Sequence, residues 1–180
     1  KKGVKTILTR SHERTLELQP RVTKANNSKS NAFVSIHANA SRGYRRDVSG
    51  IETYFFTGSR GRNLATKIQN QLIALPGGSP DRGVRQSRFF VIRKTNMPAA
   101  LVEVGFVTGR LDHKLLTQSN HRTQIAYAIC MQKEGGSSPP FPSSTCGLRR
   151  SVLTRTGESL SLHHAEHEDD ITLTMCTSTP

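Results

Sequence analysis

Two ionisable side chains stand inside apolar runs of this chain. His37 lies in Phe33-Val34-Ser35-Ile36-His37-Ala38-Asn39-Ala40, and Glu103 lies in Ala99-Ala100-Leu101-Val102-Glu103-Val104-Gly105-Phe106-Val107. Runs of this kind read as buried strands of an α/β sheet. A carboxylate inside one must be paired, protonated or bound to a metal, because an isolated buried charge is very costly. Taken singly, a strand histidine reads as a hydrogen-bonded core or rim residue, and a strand glutamate as half of a structural ion pair. Together, each followed by small residues that open space beside the backbone, they point to a working site. Sheet enzymes hold ligands at the carboxyl ends of their strands, where both residues fall. An imidazole and a carboxylate are proton-transfer or metal-binding groups, but the spacing alone does not name the reaction.

The elements that must position these groups follow in alternating order. Lys5–Thr9 reads as a strand and Pro20–Asn27 as a helix, with Pro20 tolerated in its first turn. Ala32–His37 and Ile51–Phe56 read as strands separated by a polar Arg/Gly loop. Gly61–Ala74 carries Leu64, Ile68, Leu72 and Ile73 at helical spacing and stops at Pro76-Gly77-Gly78. Phe89–Ile92 and Ala100–Val104 read as further strands, and Asp112–Leu116 and Ser119–Gln132 as closing helices, with Ser119 a fitting N-cap. The order predicts an α/β fold: a mixed, mostly parallel sheet with helices on both faces.

At 180 residues the chain has room for one domain and a tail. Residues 1–133 form the expected domain, and 134–180 a breaker-rich linker followed by a segment without sustained apolar period, expected to be disordered. Within that segment, His163-His164-Ala165-Glu166-His167-Glu168-Asp169-Asp170 has metal-binding residue types without any sign of a rigid supporting shell. Cys130, Cys146 and Cys176 form no CxxC pair and give no metal or disulfide framework. No stretch reaches the length of a membrane span, and no signal-peptide core is visible.

Charge is uneven. Over residues 1–133, 23 lysines and arginines face 7 acids; over 134–180, 3 face 6, giving the net +13 of the whole. A body this basic favours polyanions: an anionic wall polymer, a membrane surface or nucleic acid. The sharpest cluster is Arg42-Gly43-Tyr44-Arg45-Arg46, which also reads simply as a solvated loop. No helix-turn-helix, zinc finger or aromatic RNA-binding pattern accompanies it, so no specific nucleic-acid partner is expected.

Four motifs occur in order: FVSIHANA (Phe33–Ala40), GIETYFF (Gly50–Phe56), RGV (Arg82–Val84) and PAALVEVG (Pro98–Gly105). In this combination the chain resembles the zinc-dependent N-acetylmuramoyl-L-alanine amidases of bacterial cell walls, over about residues 3–133. The resemblance implies hydrolysis of the amide between N-acetylmuramoyl and L-alanine in peptidoglycan, in the cell envelope or outside the cell, by a protein that is monomeric at full length. It implies His37 as a zinc ligand and Glu103 as the general base. Zinc would polarise the carbonyl and acidify bound water while the carboxylate moves protons. Asn39 would orient the loop beside the metal or touch substrate, and Arg82, with Arg85 and Arg93, would meet stem-peptide carboxylates.

One departure from the family pattern stands out. Family members carry two further zinc ligands, a histidine in a Gly-His-Gly segment and a glutamate in the first helix, and neither has a counterpart here. The chain opens at Lys1 rather than at methionine. It is therefore expected to be a piece lacking its first strand and helix, with an open strand edge and an incomplete ligand set, inactive by itself. A non-catalytic basic module that binds anionic wall polymer or nucleic acid is the alternative reading.

Overall fold

The computed structural model describes residues 6–9 and 16–130. Four strands form one sheet: β1 (Phe33–Asn39), β2 (Ile51–Phe55), β3 (Asp81–Gln86) and β4 (Ala99–Phe106). Their spatial order is β1-β4-β2-β3. The β1–β4 and β2–β3 pairs are parallel, and β2–β4 is antiparallel, so the sheet is mixed as expected. Five α-helices accompany it among the described residues: α1 (Leu18–Asn27), α2 (Gly58–Ile73), α3 (Phe90–Lys94), α4 (Arg110–Leu116) and α5 (Ser119–Cys130).

Strand side chains alternate between faces, and the two faces have separate cores. Val34, Ile36, Ile51, Phe55, Ala100, Val102 and Val104 pack with Ala65, Ile68 and Leu72 of α2 and Ile125, Ala126 and Ile129 of α5. Phe33, Ala99 and Leu101 point the other way, onto Val22 and Ala25 of α1 and Val91 and Ile92 of α3. Both faces are thus covered, which is why β1 and β4 read as unbroken apolar runs. On α2 the buried stripe is Gly61, Ala65, Ile68, Gln69 and Leu72, while Ile73 is exposed.

Several expectations need correction. Phe89–Ile92 is not a strand: Phe90–Lys94 makes the short helix α3, which buries Val91 and Ile92. A short apolar run cannot be assigned by periodicity, and packing against α1 decided this one. Asp81–Gln86, which holds the RGV motif and to which the sequence pattern assigns no element, is an edge strand, half-exposed and therefore without an apolar signature. Residues 6–9 form no strand; Leu8 packs against the larger core and Thr9 is buried, but neither joins a ladder. Cys130 is disulfide-bonded, which the cysteine spacing did not suggest. The 134–180 segment, including the tract at 163–170, lies outside the described residues.

Candidate active site

His37 and Glu103 are register partners on the parallel neighbours β1 and β4. Adjacent strands lie about 4.8 Å apart, so the two side chains project side by side from one face. On the other flank of Glu103, the antiparallel β2 places Glu52 opposite it. A row His37–Glu103–Glu52 therefore crosses three strands. Two members come from the carboxyl halves of their strands. Glu52 comes from the start of β2, which antiparallel pairing brings to the same end of the sheet.

The side chains of this row are held by specific contacts. Ser35 Oγ, completely buried two residues before His37, lies 2.8 Å from His37 Nε2. Asn39 Nδ2 donates to Glu52 Oε1 at 3.1 Å, so Asn39 bridges from β1 toward β2. Glu52 is buried, and its Oε2 faces Arg82 Nε at 3.5 Å and Arg85 Nε at 3.6 Å. Two carboxylates on opposed strand positions repel one another; two arginines beside Glu52 offset that charge. Tyr54 completes the group: burial, then the Glu52 charge and a hydrogen bond to Glu52, push its phenol up to about 12.

Two irregularities aim the outer members at this face. Pairing between β2 and β3 jumps from Ile51↔Asp81 to Glu52↔Gly83, leaving Arg82 as an extra residue, with Gly83 at φ 84°. A bulge of this kind re-aims the side chain that a regular strand would send to the opposite face. Arg82 thus reaches Glu52, and its guanidinium lies 5.0 Å over the Phe106 ring. A second shift in β1–β4 pairs Asn39 with Phe106, with Gly105 at φ 140° taking up the extra residue. Under both irregularities lies Asp112, a buried carboxylate at the start of α4. Its Oδ2 accepts from Gly50 N and Phe106 N, both at 2.8 Å, and its Oδ1 accepts from Ser79 Oγ at 2.7 Å. It ties the start of β2, the end of β4 and the approach to β3 together.

Of the residues singled out from sequence, His37, Asn39, Glu103 and Arg82 all converge at this end. Arg85 joins them. Arg93 does not: it lines a cleft of about 620 Å³ with Phe56, Gly58 and Pro98, and its guanidinium lies 5.9 Å over Phe90. The cleft adjoins the start of β4, at the opposite end of the sheet. Glu52 and Asp112 carried no role in the sequence reading. Glu52 had a legible signal, since GIETYFF is also an apolar run broken by one carboxylate. Asp112 had none, because nothing in its neighbourhood distinguishes it from an ordinary first-turn acid.

A hydrolytic zinc takes about three protein ligands and keeps one position open. Among the described residues no group of three or more His, Cys, Asp and Glu side chains is placed to hold a metal ion. Arginines and an amide occupy the Glu52 carboxylate, so His37 with its neighbour Glu103 gives only part of such a donor set.

Residues 1–132 match the family described as N-acetylmuramoyl-L-alanine amidase. The chain is 38% identical over 130 residues to the N-acetylmuramoyl-L-alanine amidase LytC of Bacillus subtilis, covering 71% of this chain and 26% of LytC. It is equally identical over 130 residues to the uncharacterised protein YqiI of the same organism, of which it covers 61%. The chain therefore spans less than two thirds of the length of these relatives. Among solved structures, the catalytic domain of the amidase CwlV from Bacillus (Paenibacillus) polymyxa superposes with a TM-score of 0.62 at 38% identity, covering 70% of this chain and 68% of that one. The amidase AmiC2 of Nostoc punctiforme gives a TM-score of 0.61 at 40% identity, covering 65% and 63%. Zinc is typical of the family these proteins represent. By its matched span and by the fold that sets His37 beside Glu103, this chain belongs to the N-acetylmuramoyl-L-alanine amidase family.

Proposed function

We propose that this chain is the catalytic part of an amidase that hydrolyses the bond between N-acetylmuramoyl and L-alanine in peptidoglycan. The observation that carries the reading is the His37–Glu103 register pair at one end of the sheet. Glu103 acts as the general base. It takes a proton from the attacking water and returns it to the alanine nitrogen as the carbon–nitrogen bond breaks, so that the peptide leaves as a neutral amine. Zinc is the metal this reading assigns, with His37 as the ligand that the described residues contribute. Asn39, through Glu52, fixes the end of β1 beside the reacting groups, and Arg82 faces substrate from across the sheet. The basic surface suits an anionic wall, and relatives named as probable cell wall amidases favour the cell envelope or its exterior as the working place. Among the described residues no helix is long and apolar enough to cross a membrane.

The test is hydrolysis of a muramyl peptide by the full-length gene product. Glu103→Gln should lower the rate by about 10²–10⁴-fold while leaving the melting curve intact. A chelator should silence the wild type, and zinc should restore it. Undiminished turnover by Glu103→Gln would remove Glu103 from the role of base.

A further inference from the structure

Glu52 enters the proposed chemistry only as the anchor of Asn39. It is nearly inaccessible, yet it lies opposite Glu103 in the antiparallel β2–β4 pair. A buried carboxylate placed against a second one is unfavourable unless something specific holds it. One oxygen accepts from the Asn39 amide, and the other faces two arginines at nearly equal distance, 3.5 and 3.6 Å. Two cations share the Glu52 anion and Glu103 opposite balances the second in number, so what distinguishes the cluster is where its positive charge lies. That charge faces outward: the Arg85 side chain is 55% exposed and that of Arg82 33%, against 4% for Glu52. The backbone is shaped to allow this. A Cβ on Gly50, which sits at φ 125°, would lie 2.6 Å from Arg82 Cγ and Cδ, where a real side chain would displace the arginine.

We infer that Glu52 is a positioning residue of the site: it fixes Asn39 and holds Arg82 and Arg85 as a cationic rim that receives a carboxylate of the substrate peptide beside the scissile amide. Arginine suits this use because its planar fork meets a carboxylate in bidentate fashion. The two distances to Glu52 exceed those of tight charge-assisted bonds, which leaves the guanidinium donors able to turn to a second anion. Arg85, the more exposed of the two, forms the outer part of this rim, and Glu52 keeps it from folding away into solvent. This inference rests on the amidase reading and adds to it the chemical class that the enzyme selects.

The experiment compares two muramyl peptides, one with a free side carboxylate and one with the same group as carboxamide, on the full-length, metal-loaded protein. The wild type should favour the acid, chiefly through a lower KM. Glu52→Gln should raise KM for the acid by about 10-fold and bring the acid-to-amide ratio of kcat/KM close to one. Arg85→Gln, at an exposed position where folding is not at stake, should lose the same preference. A wild type indifferent to the carboxylate, or an Arg85→Gln protein that keeps the preference, would overturn the inference. So would a Glu52→Gln protein whose activity on both peptides falls equally with its melting temperature, since that marks a merely structural residue. A wild type that cleaves neither peptide would instead sink the amidase reading.

Discussion

Burial gives one histidine a consequence that can be measured. His121, near the start of α5, is buried, and loss of solvation holds its imidazole below the ordinary 6.5 despite a hydrogen bond to Gln124 and the charge of Asp112. A depressed folded-state value means that the unfolded chain takes up the proton first on acidification. Its contribution to stability is therefore complete above about pH 6.5 and is lost as pH falls through the folded-state value. Urea midpoints taken between pH 7.5 and 5 should fall for the wild type, and His121→Gln should flatten that decline. At this scale the sequence was informative wherever a charge interrupted an apolar run. His37 and Glu103 stood out on that ground, and Glu52 satisfies the same criterion. What no run could disclose is that Glu52 pairs with Glu103, because that depends on β2 running against β4.

Elements are where expectation and outcome diverge most, and the divergences have a common cause. β1, β2, β4 and α2 carry strong apolar patterns and lie within a few residues of where those patterns place them. β3 is an edge strand with one polar-lined face, so its residues carry charge rather than periodicity; α3 is a single short helix whose apolar residues resemble a strand. Such elements are defined by neighbours, not by their own composition. The same holds for the bulges at Arg82 and Gly105, which turn the outer site residues inward. Asp112 joins three of these elements, and its removal tests how tightly they are coupled. Asp112→Ala strips a buried acceptor from Gly50 N, Phe106 N and Ser79 Oγ, and should lower stability by about 3 kcal/mol. Thermal melting followed by circular dichroism would register this as a fall of roughly 10 °C.

For the molecule as a whole, the surplus of cations over residues 1–133 sets how it meets a charged matrix. Retention on isolated cell walls should weaken steadily as salt rises from 0.05 to about 0.5 M, because exposed charges are screened within a shrinking Debye length. A pelleting assay across that range would check it, and retention indifferent to salt would assign binding to uncharged contacts. The α/β class and the helices on both faces were legible from alternation alone. The mixed character of the sheet follows from one antiparallel junction in its middle, and no local pattern encodes which neighbour a strand chooses.

That junction belongs to β4, which among the described residues is the last strand in chain order and the only one that touches both β1 and β2. Among the described strands β1 pairs with β4 alone, so the histidine it carries meets this acid only through that ladder. Pairing of His37 with Glu103, 66 positions apart in sequence, is a non-local, slow kind of closure. His37 and Glu103 should therefore come together only when β4 docks against β1.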